Sequence, residues 1–450
     1  MNDSSFIPRW IVTLLAVACT LPVLGAAQGT LQVGAARVDI TPPADAALPM
    51  GGYPRTQGFQ GIHDHIYARA IVLNDGTSYA AIVTWELVFV PTAVWSELSE
   101  RVAKETGIPV ENLLLAAVHD HSAPMVGRAS GSHSKTGEYT ATVENATIEA
   151  IRQAKANLQP ARVGIGTGKA YLNMNRRECA PGRGCRLGQN PDFPSDKTVA
   201  VVKFESMSGK PIALLINYAV HDVVMGPENL QVTGDLAGAT SRFVEQFYKG
   251  ALTPTKRGDL GAGLELRPEE TVGGDGVVAL WTSGAAGDQN PISLARGEDF
   301  TLVDAFGKTL GEEAIRVAGA IRTSPGVRLR GAQREVSCPG RRAVSGQGAG
   351  AEPKFMDTNP VNIRLGLLMI GDIAVTGVSG EVLTMIGQRL KNESPFNHTI
   401  MVTHANGNVG YIPNDAAYEQ LSYEVMSTRF KPGCAEGAIV NGLLDLMDQR

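Results

Sequence analysis

The sequence predicts an α/β fold, mixed twisted β-sheets flanked by helices. Apolar runs of strand length alternate with amphipathic stretches of helical period, and several of the helical stretches open directly after a strand. No sequence period suggests a solenoid. The 450 residues are ample for a large core, and 43% apolar with 19% charged residues is ordinary for a globular chain. The 51 glycines exceed the usual share. Many tight loops are therefore expected, and loops should shape the site. A net charge of -5 without long single-sign runs leaves no basic face for nucleic acid.

Strands are expected at 80–83, 112–118, 200–204, 211–220, 277–281, 366–370 and 373–378. The last two form a hairpin through Gly371-Asp372, residues that tolerate the positive φ of a tight turn. Helices are expected at 92–105, 138–158, 235–248, 302–322 and 382–391, with a terminal helix at 436–447. Residues 252–275, rich in Gly, Pro, Glu and Arg, and 345–353, rich in Gly, read as surface insertions. Neither marks a domain boundary.

At the N-terminus Arg9 precedes an apolar stretch, 10–24, and Gly25-Ala26-Ala27 offers small residues for cleavage. This reads as a signal peptide over 1–27, with maturation near Gln28 and a secreted or periplasmic product. About fifteen apolar residues interrupted by Pro22 fall short of the ~20 a membrane span needs. Lipidation at Cys19 is the lesser alternative, because Ala16 stands where a lipobox carries Leu. Removing the segment leaves Cys179, Cys185, Cys338 and Cys434, an even set suited to an oxidising compartment. Cys179 and Cys185 flank a short loop that closes at little cost, and Cys338 with Cys434 follows by elimination. Four free thiols are the alternative.

The sharpest chemical signal is the apolar run 113–118 ending in His119-Asp120-His121-Ser122. Strand alternation would turn both imidazoles to one face, where they meet a metal or hydrogen-bond to backbone. A second apolar run, 211–220, ends in His221 in the same manner, as expected of ligand sites just outside strand ends. The 373–378 strand runs through Ser379-Gly380 into Glu381, either a hard oxygen ligand or a charge at a helix N-terminus. The run 277–281 leads into Gly284-Ala285-Ala286-Gly287-Asp288-Gln289-Asn290-Pro291, a turn able to present N–H groups to an oxyanion or carbonyl. It lacks the GxxxxGK pattern of a phosphate loop.

In order, these segments resemble those of the neutral/alkaline non-lysosomal ceramidase family, over its N-terminal catalytic domain, from about Val33 almost to the C-terminus. Residues 34–42 are similar to the family's opening strand and 61–70 to its Gly-Ile-His segment, both structural. His119-Asp120-His121-Ser122 resembles its His-Thr-His-Ser, which implies a zinc ligand at His119 and a substrate-facing His121. Ala219-Val220-His221 matches its Ala-Val-His ligand, with Gly234-Asp235 downstream matching the pair before a helix. Residues 380–390 resemble its Gly-Glu-Phe-Thr-Thr-Met-x-Gly-Arg-Arg-Leu, whose Glu is a ligand, which implies Glu381. Asn408-Val409-Gly410-Tyr411, with Tyr418, Tyr423 and Glu424 at family spacing, implies a tyrosine ligand at Tyr411. Asn175-Arg176 resembles Asn-Arg-Ser-Pro and places Arg176 at the site, although Arg177 and Glu178 replace the Ser-Pro.

The resemblance implies one zinc hydrolase domain over 28–450 that cleaves an N-acyl amide, N-acylsphingosine to sphingosine and fatty acid. Zinc would lower the pKa of a bound water toward neutrality and make water the nucleophile. His121 would assist proton transfer or steady the oxyanion, and Arg176 with Asn290 would position the substrate. Two departures stand out. Asn290 occupies the place of the serine in the family's Gly-Asp-Val-Ser-Pro-Asn, and an amide cannot replace an alkoxide nucleophile. The expected unit is also the catalytic domain alone, without the family's immunoglobulin-like domain. Alternatives are therefore a zinc amidase or esterase for another acylated small molecule, and a non-catalytic zinc-containing lipid-binding homologue. The expected partner is a small-molecule lipid or N-acyl amide; peripheral membrane contact is left open, and no protein partner is inferred.

Overall fold

The computed structural model describes Met1 and residues 30–128, 135–180, 184–250, 252–254, 264–266, 276–345 and 354–449. The expected signal segment beyond Met1, with Cys19, lies outside the described residues, as do residues 346–353 of the second insertion. Of the first insertion, Leu252–Pro254 and Leu264–Leu266 pair as short antiparallel strands. No helix of the described residues is long and apolar enough to cross a membrane.

The main sheet runs in the order Val278–Ser283, Pro211–Tyr218, Thr198–Ser206, Gln159–Lys169, Gln32–Asp39, Tyr67–Asn74, Tyr79–Trp85, Leu113–Ala117. It consists of two halves of the same plan. In each, three antiparallel strands lead through a crossover helix to a fourth strand parallel to the third, followed by a second helix. The first half uses helices Thr92–Thr106 and Lys135–Ala156; the second uses Asp235–Tyr248 and Thr301–Ala320. The halves join through two residue pairs, Gln32 with Pro160 and Val33 with Gln159. Strand Val278–Ser283 nonetheless comes within 8 Å, Cα to Cα, of Leu113–Ala117 at the opposite end of the order. The sheet is thus curled until its two edges meet, as accumulated strand twist allows.

Residues 403–406 seal the seam. Leu115 and Asn406 exchange bonds, with Asn406 N donating to Leu115 O at 2.8 Å and Leu115 N donating to Asn406 Oδ1 at 2.9 Å. Ala117 N donates to His404 O at 3.2 Å, and Thr403 N donates to Ser283 O at 2.9 Å. Ser283 Oγ closes the remaining gap by donating to Val118 O at 2.8 Å.

A second sheet, in the order Leu329–Ser345, Lys354–Ile370, Ile373–Val378, His398–Val402, packs against the inner face of the curl. Alternation along Tyr67–Asn74 shows how one strand serves two layers: Ala68, Ala70 and Val72 face the helices, while Ile71 and Leu73 face the second sheet. Such strands are apolar on both sides, which makes them visible as continuous runs in the sequence. Helices Thr384–Glu393 and Ala435–Asp448 cover the outer face of the second sheet. The layers are helix, sheet, sheet, helix.

The fold class is as the sequence predicts, with local corrections. The expected helix 382–391 begins at Thr384, because Glu381–Val382 pairs as a strand with Tyr411–Ile412. The expected strand 211–220 stops at Tyr218 and 112–118 stops at Ala117, so every candidate histidine lies beyond its strand. Residues 371–372 turn the hairpin as expected, with Gly371 at φ 64°.

Cys179 is bonded to Cys185 and Cys338 to Cys434. The second bridge ties the long hairpin to the start of the terminal helix and spans 96 residues against 6 for the first. Loop-closure entropy grows with that span. Replacing Cys338 and Cys434 together by Ala should therefore lower the unfolding free energy by about 2–4 kcal/mol, and the Cys179/Cys185 double variant by about 2 kcal/mol or less. Denaturant midpoints measure both; a larger loss for the short bridge would contradict the reading.

Candidate metal centre

The carboxyl ends of the strands converge on one point beside the seam. His119 follows Leu113–Ala117, His221 follows Pro211–Tyr218, and Glu381 lies after Ile373–Val378. One ligand atom from each falls within 4.8 Å of the others. His119 Nε2 is 3.4 Å and His221 Nε2 3.6 Å from Glu381 Oε2, and the Tyr411 hydroxyl is 3.5 Å from His221 Nε2.

Those separations fit a cation better than they fit hydrogen bonds. Ligands about 2.0–2.2 Å from a tetrahedral zinc stand roughly 3.4 Å apart, whereas a good N–H···O contact is nearer 2.9 Å. The protons are also committed elsewhere. His119 Nδ1 lies 2.9 Å from Val88 O and His221 Nδ1 2.8 Å from Ala286 O, so each ring donates there and turns a bare Nε2 inward. Glu381 Oε2 is buried with no hydrogen-bond partner. Two imidazole nitrogens, a carboxylate and a phenol make a donor set suited to zinc.

Electrostatics keep His221 and Glu381 in ligand form. Burial, with the charges of Arg176 and His119, pushes the His221 pKa down to about 3, so the ring is neutral at physiological pH. Burial opposes the Glu381 carboxylate, but the imidazoles around it outweigh that and hold its pKa well below the usual carboxylate range. Burial pushes the Tyr411 phenol well above 10 and Glu381 adds to this, while Arg176 works in the other direction.

His121 differs from the two histidines beside it. Its Nε2 is 3.2 Å from His119 Nε2, facing the same point, yet its Nδ1 is buried and unpartnered. No backbone carbonyl fixes its tautomer. The expectation that strand alternation aligns His119 and His121 is corrected here: both lie past the strand, and His119 turns inward through a left-handed backbone at φ 71°.

Arg176 joins the remaining residues. From strand Asn173–Ala180 its Nη2 donates to Tyr411 Oη at 3.0 Å, its Nε to Glu424 Oε1 at 2.7 Å and its Nη1 to Asn290 Oδ1 at 3.2 Å. Nη1 also lies 3.0 Å from His221 Nε2. Asn290 stands on Gln289–Pro291, paired to Asn173–Ala180 through Met174. Asp288 anchors this wall, accepting from Asn175 Nδ2 at 2.9 Å and from Thr384 N at 3.0 Å. The seven residues singled out in the sequence thus form one cluster, Asn290 being joined to it through Arg176.

The reading of Glu381 as a helix N-terminal charge is corrected by its place in a strand three residues before the helix. Sequence reading missed His404, whose ring stacks on His119 with centroids 4.1 Å apart and planes 14° apart. It was legible in principle, since the buried run of His398–Val402 ends in a histidine as the other two runs do. Asp120 and Asp222, each following a candidate ligand, were also missed. Burial, and for Asp120 the neighbouring Asp222 charge, raises both carboxyls well above their usual range. Asp222 Oδ1 accepts from Ala237 N at 3.0 Å, which pins the chain after His221 to the start of helix Asp235–Tyr248.

Comparison with known proteins places this geometry. A family model for neutral/alkaline non-lysosomal ceramidase, N-terminal, matches residues 31–301. Neutral ceramidase B of Dictyostelium discoideum is 25% identical over an alignment covering 91% of this chain and 71% of that protein. Neutral ceramidase of Pseudomonas aeruginosa is 23% identical, covering 94% and 73%. A solved ceramidase complexed with C2 superposes with a TM-score of 0.72 at 19% identity, and the crystal structure of the Pseudomonas aeruginosa enzyme with 0.70 at 20%. Both cover 92% of this chain and 74% of theirs. At those identities the structures speak to the fold alone, and the fold is shared. The family match spans well over half of the sequence, and this chain belongs to the neutral/alkaline non-lysosomal ceramidase family.

Proposed function

We propose that this protein is a secreted or periplasmic zinc-dependent hydrolase of an N-acyl amide bond, cleaving a ceramide-like lipid into a long-chain base and a fatty acid. One observation carries the reading: two backbone-locked imidazoles and an orphaned buried carboxylate bring their ligand atoms within 4.8 Å of one another, with a phenol oxygen 3.5 Å from one imidazole. Family membership supports amide hydrolysis, and the two disulfides fit an oxidising compartment. The proposed unit is one catalytic domain over 28–450.

His119, His221, Glu381 and Tyr411 would hold the metal. When bound it supplies a Lewis acid and, from water, a nucleophile at neutral pH. The chain's own residues do the rest. His121 Nε2 faces the same point with an unlocked tautomer, so it accepts a proton from the attacking water and returns it to the leaving amine. Arg176 bonds Glu424, Tyr411 and Asn290, with Nη1 also against His221 Nε2, and fixes their relative positions. Since Asn290 Oδ1 accepts from Arg176, its amide nitrogen is left to donate to a substrate carbonyl. Asn290 has no role as nucleophile. That residue also favours a second reading, a zinc amidase or esterase acting on a different acylated small molecule.

Metal analysis and turnover test the proposal together. Purified protein should carry one zinc per chain, and chelation should abolish cleavage of a fluorescent short-chain ceramide, restored by zinc. His221→Ala or Glu381→Ala should weaken zinc binding by more than the roughly 10–100-fold typical of losing an outer partner. Full zinc stoichiometry in those variants would contradict the ligand assignment, and zinc with turnover only of other acyl compounds would select the second reading. Asn290→Ser should raise ceramide cleavage if a hydroxyl at this place is what the chain lacks. An unchanged or lower rate means that the amide is part of the working site.

A further inference from the structure

Both ligand histidines are followed by an aspartate, and the metal centre uses neither. The backbone brings Asp120 and Asp222 together. His121 N donates to Asp222 O at 3.3 Å, while Asp120 N donates to Leu87 O at 3.1 Å. Each carboxylate has one oxygen placed by a main-chain amide: Asp120 Oδ1 accepts from Ser122 N at 2.6 Å and Asp222 Oδ1 from Ala237 N at 3.0 Å. The second oxygen of each, Oδ2, is buried with no hydrogen-bond partner, and both residues are 0% exposed. Asp235 joins them from the start of helix Asp235–Tyr248, its carboxylate accepting from Val224 N at 3.1 Å and Met225 N at 2.9 Å, shortly after Asp222.

Buried carboxylates need a cation, and elsewhere in this interior they have one. Arg69 pairs with Glu86 and Glu245, Arg37 with Glu245, and Arg242 with Asp64. Among the described residues Asp120, Asp222 and Asp235 form no ion pair. The Arg55 guanidinium, whose neighbour is Asp120, donates instead to the carbonyls of His121 at 2.9 Å, Gly51 at 3.2 Å and Pro227 at 3.1 Å. Asp235 is compensated by main-chain amides at the positive end of its helix, Leu236 N among them at 2.8 Å. Asp120 and Asp222 are left with two charges and two orphaned oxygens. One proton shared by the pair would remove one charge and leave the other buried, whereas one dication balances both.

We propose that Asp120 and Asp222 hold a second metal ion through their Oδ2 oxygens, a hard dication of the calcium or magnesium kind. An all-oxygen donor set suits those ions, and two carboxylates leave the remaining positions to carbonyl, hydroxyl and water oxygens. The role is structural. The ion fastens the turn after His119, from the first half of the sheet, to the turn after His221, from the second, and so holds the two imidazole-bearing segments in register.

Metal content decides the matter without reference to turnover. The purified full chain, passed through gel filtration in chelator-treated buffer, should carry about one calcium or magnesium per chain besides its zinc, as dications of this kind favour carboxylate oxygens. The double variant Asp120→Asn with Asp222→Asn keeps the shape and removes both charges. It should bind that ion more than about 100-fold more weakly, beyond the effect of losing an outer partner. Glu381→Ala, which weakens the zinc site, should retain the calcium or magnesium; loss of both ions together would mean one site rather than two and overturn the proposal. Wild type free of calcium and magnesium also overturns it, the carboxyls then being held by protons. A second measurement does not depend on the variants folding. Metal-stripped wild type given calcium or magnesium alone should melt about 3 °C higher at roughly a hundredfold excess over Kd. A melting temperature moved by neither ion sinks the assignment.

Discussion

One interaction, made twice, underlies the centre. An imidazole Nδ1 donates to a backbone carbonyl three residues beyond the end of the neighbouring parallel strand. His119 uses Val88, beyond Tyr79–Trp85, and His221 uses Ala286, beyond Val278–Ser283. The strand pairs concerned are the two parallel edges of the curled sheet, aligned through Trp85 with Ala117 and Tyr218 with Ser283. Parallel register thus fixes which ring nitrogen carries the proton, and hence which one bears a lone pair toward the middle. The two halves of the sheet use the interaction in opposite senses. In the first half the fourth strand brings the histidine and the third brings the carbonyl; in the second the roles are exchanged.

That duplication explains what the sequence disclosed and what it concealed. Strands buried on both faces, such as Pro211–Tyr218 and Leu113–Ala117, are unbroken apolar runs, and the residues at their ends were legible as candidate ligands. The hairpin Leu329–Ser345 with Lys354–Ile370 was seen only at its apolar end, 366–370. Its far arm pairs sequences rich in Arg, Gly, Asn and Pro, where backbone ladder bonds rather than burial hold the strands. Strand Gln159–Lys169 was hidden likewise, because alternate residues are only partly buried. Tyr411 and Arg176 carry no periodic signal and came from resemblance alone. His404 fell outside it because no strand was assigned at 398–402.

The seam has a chemical consequence as well as an architectural one. Unpaired strand edges are open to other chains and to water. Residues 403–406 occupy the edge of Leu113–Ala117 and reach the end of Val278–Ser283, and they bring His404 flat against His119. Water is thereby kept from the rear of the ligand ring, and His119 is left only 3% exposed. The left-handed backbone at both His119 and His404 marks where the chain leaves strand geometry to make this contact. Strain of that kind persists only where surrounding structure enforces it, and here both residues are held by backbone bonds, His119 N to Leu87 O and His404 N to Gly380 O.

Charge balance accounts for the remaining buried groups. A guanidinium 3.0 Å from a ligand imidazole opposes any dication placed beside it, and an unpaired buried Arg176 would be costly in itself. Glu424, fully buried and 2.7 Å from Arg176 Nε, cancels that charge locally. Among the described residues Glu381 is then the carboxylate grouped with the two imidazoles. A dication held there by imidazole nitrogens and one carboxylate would leave an excess of positive charge, which would lower the free energy of a nearby phenolate and of an oxyanion forming on a substrate. Arg176 extends the same field to the Tyr411 oxygen, 3.0 Å from its Nη2. Burial keeps the Tyr411 phenol protonated, and a cation beside it would act with Arg176 against that burial, so its ionisation would link the charge of the cation to the geometry of the wall that Arg176 holds.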